Sequence, residues 1–124
     1  MVAFADAGIT HDQVDFMQTY DDYPVISVMQ FEDLGFCAKG EGPQFVREHS
    51  FTNDGSFPVN TNGGGLSCVH PGMYGLFTVV EAVEQLQGTA GDRQVPDAKL
   101  ALAHGNGGVL SSQVTAILGT RETL

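Results

Sequence analysis

The sequence predicts an α/β domain, a mixed β-sheet with helices packed on it. Three observations carry that reading. Short apolar runs alternate with stretches of helical periodicity, in the order strand, helix, strand, helix, strand, strand. A long apolar run behind a proline extends from Pro71 to Leu86 and stops before Gly88. Two short strand-like runs close the chain, joined by a glycine-rich connection.

Taken in order, Met1 to Gly8 is Ala-rich and reads as the tail of a helix ending at its glycine. So short a helix is not stable alone, so something is expected to precede it or to pack against it. Thr10 to Asp15 reads as a polar turn, and Val14 to Tyr20 as a buried strand. Asp21 and Asp22 are candidate N-caps for a helix with Pro24 in its first turn, running through Val25, Val28, Met29 and Leu34 to Gly35. Gly40 to Asn53 is expected to be a loop, either a lid or a long connection. Phe57 to Thr61 reads as a short strand, and Gln87 to Asp97 as a polar linker. Lys99 to Ala103 and Val114 to Leu118 read as strands joined across His104-Gly-Asn-Gly-Gly108.

Composition narrows the function. The chain of 124 residues suits one domain with a real core, and 42% hydrophobic with 16% charged residues is a packed composition. A net charge of -10 argues against general affinity for nucleic acid or anionic membrane. With five Lys and Arg, phosphate-rich ligands find few clamps unless another chain supplies them. Cys37 and Cys68 show no disulfide spacing, so a reduced, cytoplasmic protein is expected. No stretch is long and apolar enough to span a bilayer.

The segment Asn60-Thr-Asn-Gly-Gly-Gly-Leu-Ser-Cys-Val-His-Pro-Gly-Met-Tyr-Gly75 concentrates the chemistry. Glycines permit positive φ and close approach to the main chain. Pro71 then opens a helix with His70 at its mouth, where an imidazole can meet developing negative charge. His70 is either an oxyanion donor or a structural cap. Tyr74 is either catalytic or a core residue with a satisfied hydroxyl. Tyr20 and Tyr23, beside Asp21 and Asp22, fit an ordinary strand-to-helix junction as well as a site. His11 and His49 fall in polar loops and are expected to be solvated. No His, Cys or carboxylate spacing matches a metal site, and Gly63-Gly-Gly lacks the lysine of a nucleotide-phosphate loop.

Three blocks stand in order: Tyr20-Asp-Asp-Tyr23, Gly63-Gly-Gly-Leu-Ser-Cys-Val-His-Pro-Gly72 and His104-Gly-Asn-Gly-Gly108. Together they resemble the C-terminal half of the thiolase superfamily. The lipid-transfer-protein branch, with sterol-carrier-type thiolases and steroid side-chain aldolases, is the most similar. Gln30-Phe-Glu-Asp-Leu-Gly-Phe-Cys-Ala-Lys-Gly-Glu-Gly42 and Leu102-Ala-His-Gly-Asn-Gly-Gly-Val-Leu-Ser-Ser112 share that similarity. The resemblance implies a thiolase-like half whose N-terminal partner half carries the nucleophilic cysteine. It implies His70 as oxyanion donor and His104 where thiolases carry an acid/base cysteine. Tyr74 and Tyr20 are its candidates for proton exchange in an aldolase. Gly63, Gly64, Asn106 and Gly107 are the expected contacts for the coenzyme A thioester, which is substrate and not a tightly bound cofactor. Two departures weigh against Claisen chemistry: no asparagine opens the first block and no cysteine occupies the last. Val69 also replaces the glycine that family members place before the histidine.

The activity implied is retro-aldol cleavage of a β-hydroxyacyl-CoA, such as a steroid side-chain thioester. The alternatives are a sterol-carrier-type acyltransferase and a non-catalytic acyl-CoA-binding or assembly module. Implied partners are the N-terminal half and a small zinc-ribbon/OB-fold protein, with self-association where the half is absent. The isolated chain is expected to be inactive.

Overall fold

The computed structural model describes residues 2–68 and 74–123. Its centre is a three-stranded sheet: β1 (Phe16–Thr19), β2 (Leu100–Gly107) and β3 (Ser112–Gly119), in that order. β1 runs parallel to β2, and β2 antiparallel to β3. The expected mixed sheet is therefore present. The helices are α1 (Val2–Ala7), α2 (Pro24–Asp33), α3 (Gly42–Glu48), α4 (Gly64–Ser67) and α5 (Gly75–Leu86).

Side chains alternate across a strand, and the two faces of this sheet bury separate cores. Met17 and Leu102 face α1, α2 and α3, packing with Phe4, Phe31, Leu34 and Phe57. Phe16, Ala101 and Ala103 face α5, packing with Ala82 and Val95. Cover on both sides leaves all four residues of β1 buried, the polar Gln18 and Thr19 included.

α1 ends as expected at Gly8, whose φ of +67° lets Ile9 N–H return to the Phe4 carbonyl at 3.1 Å. α5 stops the same way at Gly88, φ +70°. It is described from Gly75; its expected start at Pro71 lies outside the described residues.

Four local expectations are corrected. The N-cap of α2 is Tyr23, with neither Asp21 nor Asp22 capping, because both carboxylates are engaged elsewhere. The stretch expected as a loop or lid contains α3, opened by Pro43 and pinned by Phe45 against Phe31, Phe51 and Phe57. Residues 57–61 form one parallel bridge, Met17 to Val59, before Asn60 turns away at φ +51°. His104 lies within β2 and not in the turn, since the strand continues to Gly107. The reversal falls at 108–111, where Val109 and Leu110 have φ of +54° and +66°.

His11 and His49, expected to be solvated, are half-buried and partnered. His11 stacks on Phe4 at 4.1 Å and bonds the Leu34 carbonyl through Nε2. His49 stacks on Phe45 at 4.0 Å and bonds the Phe45 carbonyl through Nδ1. Among the described residues, no helix is long and apolar enough to cross a membrane.

Candidate functional site

The site begins where β1 ends. Tyr20 extends the ladder one step, its N–H donating to the His104 carbonyl at 3.0 Å. Asp21 turns inward toward α4. The Gly65 and Leu66 N–H groups donate to its carboxylate at 2.6 and 3.4 Å. Gly63 and Gly64 hold φ of +94° and +68°. A Cβ on Gly64 would collide with Asp21 Oδ2, and one on Gly65 would lie 2.9 Å from Oδ1. The close approach that this glycine run permits is therefore to the protein's own carboxylate.

Asn62 Oδ1 accepts from the Gly64 N–H at 2.9 Å and from the Tyr74 hydroxyl at 3.2 Å. Tyr74 is 2% exposed, and its ring meets Tyr20 edge-on at 5.7 Å. Burial, with nearby carboxylates adding to it, pushes the Tyr74 phenol up to about 12. The Asn62 contact, which accepts the phenol proton, favours the same protonated form. Tyr20 is also raised, first by burial and then by the charges of Asp22 and Asp21. Both phenols are proton donors near neutrality, not bases.

Behind them a polar clip holds the 60s loop to α5. Glu81, 3% exposed, accepts from Thr61 Oγ1 at 2.6 Å, Gln85 Nε2 at 3.0 Å and Arg93 at 2.9 Å. Burial opposes its ionisation, but these donors and the Arg93 charge hold the carboxyl below its usual range. Thr61 also accepts from Gln18 of β1 at 2.8 Å.

An open cleft of about 440 Å³ lies between the start of α5 and the β2–β3 pair. Tyr20, Asp22, Ala103, Asn106, Gly107 and Val114 border it. Tyr20, Asn106 and Gly107 are thus together, and Tyr74 supports Tyr20 from behind. Gly63 and Gly64 are not in the cleft's lining: Gly64 packs against Asp21, and Gly63 against Ser67. His104 shares the Leu102 side of β2, across the sheet from α5. Its Nδ1 pairs with Thr115 Oγ1 at 2.8 Å, and Nε2 has no partner among the described residues. Burial lowers its pKa, against the opposing effects of Asp33 and a Gln113 hydrogen bond. The sheet thus separates the His104 ring from the tyrosine pair. His70 lies outside the described residues.

Asp22, which the sequence offers as a cap and as part of the Tyr20-Asp-Asp-Tyr23 block, borders the cleft. Asn62 was unassigned. The doublet Asp21-Asp22 was the available signal for a carboxylate here, because two acids ahead of Pro24 are more than a cap requires. Cys37 and Cys68 are both free, and no cysteine borders the cleft among the described residues. Among the described residues, no three His, Cys, Asp or Glu side chains gather to hold a metal.

A mixed sheet, a glycine loop closing on a strand-end carboxylate, and a helix rising beside a strand-tip cleft define a thiolase-like half. The chain belongs to the thiolase C-terminal domain-like family, whose model matches residues 1–120. It is 37% identical over 107 residues to an acetyl-CoA acetyltransferase of Methanothermobacter thermautotrophicus, covering 86% of this chain and 28% of that protein. It is 34% identical over 87 residues to the 17-hydroxy-3-oxo-4-pregnene-20-carboxyl-CoA lyase of Mycobacterium tuberculosis, covering 70% of this chain and 22% of the lyase. A solved structure of an Ltp2-ChsH2(DUF35) aldolase superposes with a TM-score of 0.79 at 29% identity, over 98% of this chain and 31% of the aldolase chain. The chain therefore spans less than a third of the length of these relatives.

Proposed function

We propose that this chain is the C-terminal portion of a thiolase-like aldolase. It cleaves β-hydroxyacyl-CoA thioesters, with steroid side-chain esters as the substrate class, in the retro-aldol direction. The observation that carries this reading is Tyr20: a phenol kept protonated at the edge of an open cleft. Retro-aldol cleavage leaves a thioester enolate, which needs donors at its oxygen and a proton at carbon. Tyr20 supplies the proton and Tyr74 braces it. His70 donates to the enolate oxygen. His104 acts from the far face by fixing the β2–β3 pair through Thr115. Coenzyme A arrives as part of the substrate, and no cofactor is held tightly. A partner thiolase half completes the site, with a zinc-ribbon/OB-fold protein as a further partner, in a reducing cytoplasmic setting. Where that half is missing the chain self-associates and is inactive.

The similarity to an acetyltransferase favours a second reading, Claisen-type acyl transfer of the sterol-carrier class through a cysteine of the partner half. Joining the chain to its N-terminal half and supplying a β-hydroxyacyl-CoA separates the two. Ketone release that survives iodoacetamide supports the aldolase. Thiol-sensitive acyl exchange with free coenzyme A supports the acyltransferase, and binding without turnover supports a scaffold module. Tyr20→Phe should lower ketone release by roughly 100-fold or more. An unchanged rate removes Tyr20 from the role.

A further inference from the structure

The cleft's lining identifies which end of a thioester it suits. Ala103, Gly105 and Gly107 follow one another on the α5-facing side of β2 and form a floor of small residues. Helix and strand come so close here that a Cβ on Gly105 would sit 3.7 Å from the Gly75 Cα. Val79 and Val114 supply apolar walls. No basic residue borders the cleft among the described residues. Three of the chain's cations are committed elsewhere: Arg93 to Glu81 and Glu84, Lys99 to Glu122, Lys39 to Asp33. The phosphates of coenzyme A call for cations, so this surface fits the acyl end and not the nucleotide.

Asp22 adds a specific polar feature. Its Oδ2 lies 3.5 Å from Asn106 Nδ2, a long contact that aims the carboxylate. Its Oδ1 is shut off from solvent and has no hydrogen-bond partner among the described residues. Asp22 as a whole is half-buried at the cleft edge, so a turn of its carboxylate presents that unpartnered oxygen to a donor that a ligand brings.

We propose that this cleft binds the acyl portion of a β-hydroxyacyl thioester, an apolar body bearing a hydroxyl, and that Asp22 accepts the hydroxyl proton. The proposal rests on the aldolase reading and assigns the base which that reading lacks. The hydroxyl proton passes to Asp22 Oδ1, and the O–H electron pair becomes the second bond of a ketone. The carbon–carbon bond breaks, and its pair moves into the thioester as an enolate. The enolate carbon takes a proton from Tyr20. Asp22 then returns its proton to the tyrosinate, and ketone and shortened thioester leave with no other reactant consumed. Asn106 is the positioning residue for Asp22. Burial, with the Asp22 and Asp21 charges, raises the Tyr20 pKa, which suits a donor.

The binding step is tested on this chain without any partner. The ¹⁵N-labelled protein is titrated with trans-2-decalol and, separately, trans-2-decalone, two apolar rings differing in whether they donate a hydrogen bond. The alcohol should bind roughly tenfold tighter, with amide shifts centred on residues 103–107. Asp22→Ala should abolish that preference, and Ala103→Val should weaken both ligands together. Equal affinities in the wild type, a preference that survives Asp22→Ala, or shifts centred elsewhere would overturn the proposal. In the enzyme completed by its N-terminal half, Asp22→Asn should slow ketone release by roughly 100-fold or more. Asn106→Ala should lower kcat while leaving KM little changed. A completed wild-type enzyme that releases no ketone defeats the aldolase reading alone, because the alcohol preference is measured independently of turnover.

Discussion

Replacing Arg93 by alanine tests whether the Glu81 carboxylate depends on its cation. Glu81 is 3% exposed and Arg93 42% exposed, so the substitution removes a half-solvated partner from a buried charge. Thr61 and Gln85 remain as donors, at 2.6 and 3.0 Å. Breaking a buried pair from one side costs about 3–5 kcal/mol. The low end applies here, about 3 kcal/mol, because solvent already screens the arginine. With a urea m-value of about 1.5 kcal/mol/M, the unfolding midpoint should fall by about 2 M at pH 7. The sign with pH is fixed. In the wild type, Glu81 titrates below its ordinary value, so its contribution is present above that value and is lost as pH falls through the folded one. Without Arg93, burial dominates and the carboxyl titrates above its ordinary value. The deficit of Arg93→Ala should therefore shrink between pH 7 and pH 5. Far-UV circular dichroism reads the transition, since the chain has no tryptophan. A midpoint shift below about 0.5 M, or one constant across that pH range, would refute the reasoning.

Gly64→Ala places a methyl against Asp21 Oδ2 at a φ of +68°. It should lose more than about 1 kcal/mol in a urea titration, whereas Gly88→Ala, with open space around it, should lose less. His104 contributes to acid lability. Its folded pKa is lowered by burial, so the unfolded chain binds the proton first, and stability falls as pH drops below about 6.5. His104→Gln should flatten the stability slope between pH 7 and pH 5; an unaltered slope would show that the ring is not the group responsible.

Elements governed by local chemistry were legible in the sequence. Pro24 and Gly88 act through backbone geometry alone, and they bound α2 and α5 in the structure. Elements decided by tertiary contacts were not. α3 has seven residues, too few to announce themselves, and exists because Phe45 finds Phe31, Phe51 and Phe57. The length of β2 was misread because His-Gly-Asn-Gly carries turn chemistry, while its register with β3 holds to Gly107 opposite Ser112. The tyrosines were legible as candidates, but their protonation was not, because it depends on burial and on carboxylates placed by the fold. The separation of His104 from them follows from period-two alternation along a strand whose extent the glycines concealed.

The distribution of apolar surface bears on the proposed composite enzyme. On the N-terminal half of α5, Leu76, Phe77 and Val80 are 68%, 50% and 45% exposed. Val114 of β3 and Val109 at the strand tip are 69% and 100% exposed. Val109 and Val114 line the cleft that Tyr20 and Asp22 border, and Leu76, Phe77 and Val80 lie on the helix that flanks it. Exposed apolar side chains beside a polar cleft fit a surface meant to be covered. Val109 and Leu110 also hold positive φ, a backbone state that a β-branched residue resists. Covering that surface would exclude water from the cleft, and a drier cleft would strengthen the Asp22 and Tyr20 interactions on which the proposed chemistry depends. In this reading the side chains left exposed on the isolated chain are the ones that make the completed site work.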